Sequence, residues 1–216
     1  MKKSVLLIGL GRYGRHVAQE LYQMKHDILA VDKDEERVNM VLPYVTNALM
    51  ADSTNKSFLE SLGIRDFDLC IVAIGDDFQS SLETTSLLKE LGAKYVVARA
   101  SRGIHEKFLL RNGADEAVYP EKQLAKWTAI RFGYDHILDY FRLSDRYAVY
   151  ELPIPEEWNG KTLGELQVRK HYHVNVLGIK KAGILNVEIT AETTMNQEDT
   201  VLVIGKRNDL EKYFHI

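Results

Sequence analysis

The chain has 216 residues, 45% of them hydrophobic and 27% charged, with a formal net charge of -3 and a pI near 6.2. This is ordinary globular composition, which excludes a disordered chain and leaves room for one good core plus a smaller satellite. The slight acidic excess argues against gripping a nucleic-acid backbone, so nucleic acid is not expected as a partner.

From the start, Met1-Lys2-Lys3 leads into the apolar run Val5 to Ile8, which stops at Gly9. That run is too short for the core of a signal peptide. No uncharged apolar stretch of about 18 residues follows, so no membrane span is expected. Short apolar runs predict strands at 4–8, 28–31, 47–50, 69–74, 95–98 and 117–119. Helical periodicity fills 13–24, 35–42, 55–62, 79–91 and 105–112, with Gly63, Gly92 and Gly113 placed to cap helices in the left-handed conformation. Six strands alternating with five helices predict an α/β fold, a Rossmann-like, doubly wound parallel sheet. Cys70, the only cysteine, lies mid-strand as a small core residue. A single cysteine permits no intrachain disulfide, as suits a reducing cytoplasm.

After Pro120, residues 121–141 read as one long helix with Gly133 as its weak point. Its apolar surface, Trp127, Ile130, Phe132, Ile137 and Phe141 included, suits packing either on a partner subunit or on its own sheet. The remainder predicts strands at 147–152, 174–179, 184–187 and 200–204, with a turn at Ala182-Gly183. A small helix opens on a capping box, Thr162 with Glu165. The expectation is a small α+β domain of the kind that dimerisation often stabilises.

The chemistry concentrates in Gly9-Leu10-Gly11-Arg12-Tyr13-Gly14, between a strand and a helix. Gly9 allows the tight turn, Gly11 lets backbone approach a pyrophosphate, and Gly14 lets the helix sit close on the strand. The free helix N-terminus then favours phosphate. Asp32 stands 18 residues beyond Gly14, where a carboxylate accepts ribose hydroxyls and repels a 2′-phosphate; it could also cap the helix near Asp34. Lys33 adjoins it.

Open α/β sheets bind ligands beyond the carboxyl ends of their strands, where Asp52, Ser53, Ile74, Gly75, Asp76, Arg99 and Glu121 fall. Ser53 or Thr54 can instead cap the next helix, and Arg99 can belong to a surface ion pair. Arg12, inside the loop, suits a terminal phosphate, which a hydride-transfer enzyme does not need. Glu121 near a polyphosphate is accommodated by a divalent cation, or simply serves as first-turn partner of the helix dipole.

With Gly9-Leu10-Gly11-Arg12, Asp32, Ala51-Asp52-Ser53-Thr54, Val72-Ala73-Ile74-Gly75 and Pro120-Glu121, the chain resembles the bacterial KtrA/TrkA family, regulators of potassium conductance (RCK). The resemblance runs along essentially the whole chain. It implies a nucleotide-binding domain at 1–120, a crossover segment at 121–142 and a C-terminal RCK domain at 143–216. It further implies dimers assembling into an octameric ring on the cytosolic face of a membrane potassium-translocating subunit of the KtrB or TrkH kind.

In such proteins ATP and ADP, and in some members NAD(H), compete for the N-terminal site. By that resemblance Arg12 meets the γ-phosphate, Asp32 the ribose, and Arg99 and His105 lie near the phosphates. Glu121 sits beside an activating cation, Mg²⁺ or Ca²⁺. The segment from Arg169 to Ile179 is similar to a region that binds cyclic di-AMP at a dimer interface, making Arg169 and Asn175 candidates. Ile189 stands where relatives often have proline.

His171 and His173 share a strand face but lack a third ligand, so no metal is expected there. Neither a Gly-x-x-x-x-Gly-Lys-Ser/Thr loop nor a Tyr-x-x-x-Lys pair occurs. The leading expectation is therefore a ligand-gated regulator and not an enzyme, with a small NAD-dependent oxidoreductase as the alternative. Space is the expected difficulty for that alternative, since 97 residues follow the sixth strand (216 minus 119) and much of their first stretch reads as helix.

Overall fold

Alternation of apolar runs with amphipathic segments produces one parallel sheet over the first 122 residues. Its strands are β1 (Ser4–Ile8), β2 (Asp27–Asp32), β3 (Asn47–Met50), β4 (Leu69–Val72), β5 (Val96–Arg99) and β6 (Glu116–Val118). They lie in the order β3-β2-β1-β4-β5-β6, every neighbouring pair parallel. The linking helices are α1 (Arg12–Gln23), α2 (Glu35–Val41), α3 (Lys56–Ser61), α4 (Phe78–Glu90) and α5 (Gly103–Arg111). This is a computed structural model, and it describes residues 1–214.

Both faces of the sheet are covered, as a parallel sheet requires. Alternate residues of β1 enter different cores: Leu6 and Ile8 join Val72, Leu88 and Val96, whereas Val5 and Leu7 join Ala18, Ile28 and Val38. Gly63, Gly92 and Gly113 carry positive φ at helix ends. The expected strands and helices of this half lie within two residues of the observed ones.

A second compact unit begins at Gln123. Helix α6 (Pro120–Gly133) leads into it, followed by β7 (Asp139–Arg142), β8 (Tyr147–Pro153), α7 (Leu163–Leu166) and α8 (Val168–Tyr172). β9 (Asn175–Lys181), β10 (Ile184–Asn186), β11 (Thr200–Lys206) and α9 (Arg207–Phe214) complete it. The sheet is antiparallel, in the order β10-β9-β11-β8-β7. Trp158, Leu152, Ile179, Val201 and Leu210 form its core. The capping box is present: the Glu165 amide donates to Thr162 Oγ1 at 3.3 Å, and the Thr162 amide donates to Glu165 Oε2 at 2.8 Å.

One expected element is corrected. The single helix over 121–141 ends at Gly133, and residues 139–142 form β7, pairing Tyr140 with Tyr150 on β8. Glycine is a poor helix former, and beyond it Ile137 and Tyr140 are buried in the second core, with the Tyr140 and Tyr150 rings 5.0 Å apart. Short apolar spacing in this stretch satisfied both periods; the free edge of β8 decided for strand. Helix α6 buries none of its residues, and Leu124 and Phe132 stand 62% and 70% exposed.

Candidate nucleotide site

A cavity of about 570 Å³ opens beyond the carboxyl ends of the parallel strands, where the strand order reverses between β1 and β4. Its size falls in the range of small-molecule sites, roughly 300–1,000 Å³. The glycine loop forms its floor. Gly9 has φ +92°, and a Cβ there would lie 2.9 Å from the Ile74 amide nitrogen. Gly11 faces open space, with nothing within 4 Å of a Cβ. It precedes α1 without any side-chain cap, so the first amides of that twelve-residue helix are open to an anion. Gly14 does not line the cavity. It packs beneath, where a Cβ would stand 1.9 Å from the Gly9 carbonyl oxygen.

Asp32 fastens this loop to the end of β2. The Leu10 amide donates to its Oδ2 at 2.6 Å and the Asp34 amide to its Oδ1 at 3.0 Å. The carboxylate is buried yet lines the cavity, and its remaining lone pairs suit ribose hydroxyls. Capping of α2 belongs instead to Asp34, whose Oδ1 accepts from the Arg37 amide at 3.2 Å.

The capping alternative for Ser53 and Thr54 is likewise corrected: Asn55 caps α3, accepting from the Phe58 amide. Ser53 Oγ lies 2.8 Å from Thr84 Oγ1 in a buried contact with α4. Asp52 accepts from the Thr54 amide and hydroxyl, which hold its carboxyl below the usual range. Lys33 reaches to 3.8 Å from Asp77. Of these, Lys33, Asp52, Ser53 and Asp77 line the cavity, as do Ile74, Gly75 and Asp76.

Two arginines, Arg99 and Arg12, line the cavity in different states. Arg99 Nη2 donates to Glu121 Oε1 at 2.5 Å, and the guanidinium lies 5.6 Å from the Tyr13 ring centroid. Gly75 makes room for it, because a Cβ there would meet Arg99 Nη1 at 1.9 Å. Arg99 Nε is buried without a hydrogen-bond partner among the described residues. The Glu121 carboxyl is held below its usual range, first by its own backbone amide and also by Arg99. Burial pushes the Tyr13 hydroxyl up, against the opposing effect of Arg99. Arg12 also lines the cavity, but it is exposed and engages no partner among the described residues.

His105 is a correction. The resemblance puts it near the phosphates, but it does not line the cavity. It is fully buried under Phe78, ring centroids 4.8 Å apart, because the helical register of α5 turns it inward. Its Nδ1 accepts from the Ser101 amide at 3.3 Å, and its Nε2 has no partner among the described residues. Burial, then the nearby Arg102 and Arg99, pushes its pKa down. A depressed histidine binds fewer protons folded than unfolded, so stability falls as pH drops below the ordinary value of about 6.5. Thermal melts between neutral and mildly acidic pH are therefore expected to fall more steeply for the wild type than for His105→Phe; parallel slopes would contradict this assignment.

Tyr13, Arg37, Asp77 and Ser80 also line the cavity, though the sequence did not single them out. Tyr13 lay in plain view inside the glycine motif. Asp77 and Ser80 come from the start of α4, where the cap Asp77 accepts from the Ser80 amide and hydroxyl. In the second unit, Arg169 Nε donates to Asn175 Oδ1 at 2.7 Å. Both line a separate shallow groove of about 520 Å³ together with Ile189. Among the described residues no three His, Cys, Asp or Glu side chains gather to hold a metal.

Residues 5–120 match the TrkA-N domain and residues 148–216 the TrkA-C domain. The chain is 37% identical over 213 residues to Ktr system potassium uptake protein C of Bacillus subtilis (strain 168), covering 99% of this chain and 96% of that protein. The chain belongs to the KtrA/TrkA family. This KtrA/TrkA-family chain is also 31% identical over 208 residues to Ktr system potassium uptake protein A of Vibrio alginolyticus, covering 96% and 94% of the two.

Among solved structures, the GsuK channel bound to NAD superposes with a TM-score of 0.69 at 17% identity, over 97% of this chain and 38% of that one. GsuK bound to ADP superposes with a TM-score of 0.53 at 15% identity, over 61% and 35%. At such identity these likenesses show the fold alone, and this KtrA/TrkA-family chain has the RCK fold. No helix among its described residues is long and apolar enough to cross a membrane.

Proposed function

We propose that this chain is the nucleotide-binding regulatory subunit of a potassium-uptake system, gating a membrane potassium-translocating partner through ATP or ADP. The observation that carries the reading is a single crevice with a buried ribose-type carboxylate, Asp32, and an unpartnered guanidinium, Arg12, beside uncapped α1 amides. Relatives named for potassium uptake supply the transport role, and the NAD and ADP complexes of the RCK-fold GsuK supply the ligand class. The protein acts from the cytoplasm, peripheral to the membrane. The first 120 residues bind nucleotide, residues 121–142 connect, and the segment from 143 onward is the C-terminal RCK domain.

Regulation requires only that ATP and ADP bind two arrangements of an oligomer with different affinity. Dimers forming an octameric ring are the assembly that the family resemblance suggests, with the exposed apolar residues of α6 as contact surface. Nothing is consumed, and no residue need act as acid or base. A divalent cation, Mg²⁺ or Ca²⁺, at Glu121 would take that carboxylate from Arg99 and draw its other ligands from phosphate oxygens and a second copy. The Arg169–Asn175 groove is the proposed site for cyclic di-AMP.

Glu121→Gln is expected to tighten ADP binding about threefold in cation-free buffer, because it frees Arg99 for phosphate. It also removes any dependence of ATP binding on Mg²⁺ or Ca²⁺. Calorimetry on both forms checks this, and unchanged affinity with retained cation dependence would contradict it. The function itself is tested by thermal melts with ATP, ADP and NADH, with and without either cation. Stabilisation by ATP and ADP supports a regulator; NADH consumption with a small carbonyl substrate would favour the oxidoreductase.

A further inference from the structure

The adenosine end of the crevice contains a cation that the proposed function leaves unused. Arg37 comes from α2, the helix joining β2 to β3, and lines the cavity at the same end as Asp32 and Ala51. Its side chain is 48% exposed. Its nearest carboxylates are Asp34 Oδ2 at 3.5 Å from Nε and Asp32 Oδ2 at 4.0 Å from Nη1. Both contacts are longer than a charge-assisted hydrogen bond. They set the guanidinium's position beside the ribose carboxylate without committing its flat face.

A purine bound with its ribose on Asp32 needs a planar surface at this end. Tyr13 is the only aromatic residue among the described residues lining the cavity, and it stands at the phosphate end under Arg99. The neighbouring wall at the β2 and β3 ends offers Val31 and Ala51, both apolar and neither planar. A guanidinium is planar, weakly hydrated and attracted to π-faces.

We propose that Arg37 recognises the base: its guanidinium covers the purine of the nucleotide whose ribose Asp32 holds. The inference rests on the nucleotide reading of this crevice and adds selectivity for a large aromatic base over a pyrimidine. The half-exposed side chain has no core role, so its removal leaves the fold intact.

The test is calorimetry on the full chain with ADP, CDP, 2′,5′-ADP and pyrophosphate, comparing wild type with Arg37→Ala and Arg37→Lys. Arg37→Ala is expected to weaken ADP about tenfold, CDP less, and pyrophosphate by no more than about twofold, while Arg37→Lys stays weakened at least about threefold because it restores charge without the plane. ADP affinity equal to wild type would overturn the proposal. So would an equal loss for pyrophosphate, which marks a purely electrostatic role, or a loss confined to 2′,5′-ADP, which marks a 2′-phosphate site. Wild type that binds no ADP overturns the nucleotide reading itself, and this proposal with it.

Discussion

Arg12→Ala is expected to weaken ATP binding by roughly 10- to 100-fold, the worth of one or two charge-assisted hydrogen bonds, while AMP binds within about twofold of wild type. The basis is the contrast between the two arginines of the crevice. Arg99 is already committed to Glu121 and must surrender part of that contact before it meets phosphate. Arg12 engages no described partner and lines the same cavity, so its whole charge is available to a terminal phosphate. ADP is expected to show an intermediate loss. Calorimetric titration of the three nucleotides against both proteins reads the result directly. An equal loss for AMP and ATP would mean that Arg12 serves the architecture of the loop and not the phosphate chain.

Gly14→Ala has the largest structural effect. The added Cβ would lie 1.9 Å from the Gly9 carbonyl oxygen, a backbone atom at the floor of the site that no rotamer change can clear. Helix α1 must move off the sheet by roughly an ångström or more, at a cost of about 3 kcal/mol for overpacking. The uncapped amides move with it, so ADP binding is expected to be lost alongside a marked fall in melting temperature.

Gly11→Ala supplies the contrast. Nothing stands within 4 Å of a Cβ there, so the fold is expected to melt as wild type does while the methyl occupies the space a phosphate needs. Melting curves with and without ADP separate the two cases. If Gly14→Ala kept wild-type stability, the close contact of loop and helix would be wrong.

The parallel sheet was legible because each of its signals is local: apolar runs of three to six residues, glycines after helices, and a glycine-rich turn after β1. The strand at residues 139–142 was not, because Tyr140 finds its place only against Tyr150 on β8. Helices α8 and α9 escaped notice for a related reason: both are short, and their apolar residues Val168, Leu210 and Phe214 make sense only once the second core exists.

In the site, residue types at strand ends identified most of the lining, and Asp32 kept its place at the end of β2. Pairings across the sheet were invisible. Arg99 meets Glu121 because parallel register sets Arg99 opposite Val118 at the end of β6, so the chain entering α6 passes beside it. Helix capping stood as the alternative role for Ser53, and only the packing of α4 shows that its hydroxyl meets Thr84 while Asn55 caps α3. His105 sits two residues into α5, a position from which only the helix's rotation decides between crevice and core. Arg37 carried no motif at all; its significance comes from the distance between α2 and the Asp32 carboxylate.

The most direct test of nucleotide binding in the glycine crevice is a crystal structure of the full chain grown with ADP. The diphosphate is expected on the amides following Gly9 and Gly11, the ribose hydroxyls on Asp32, and the Arg12 side chain turned toward the phosphates. ADP bound elsewhere, or a glycine crevice filled by the chain's own side chains with Arg12 directed into solvent, would contradict it.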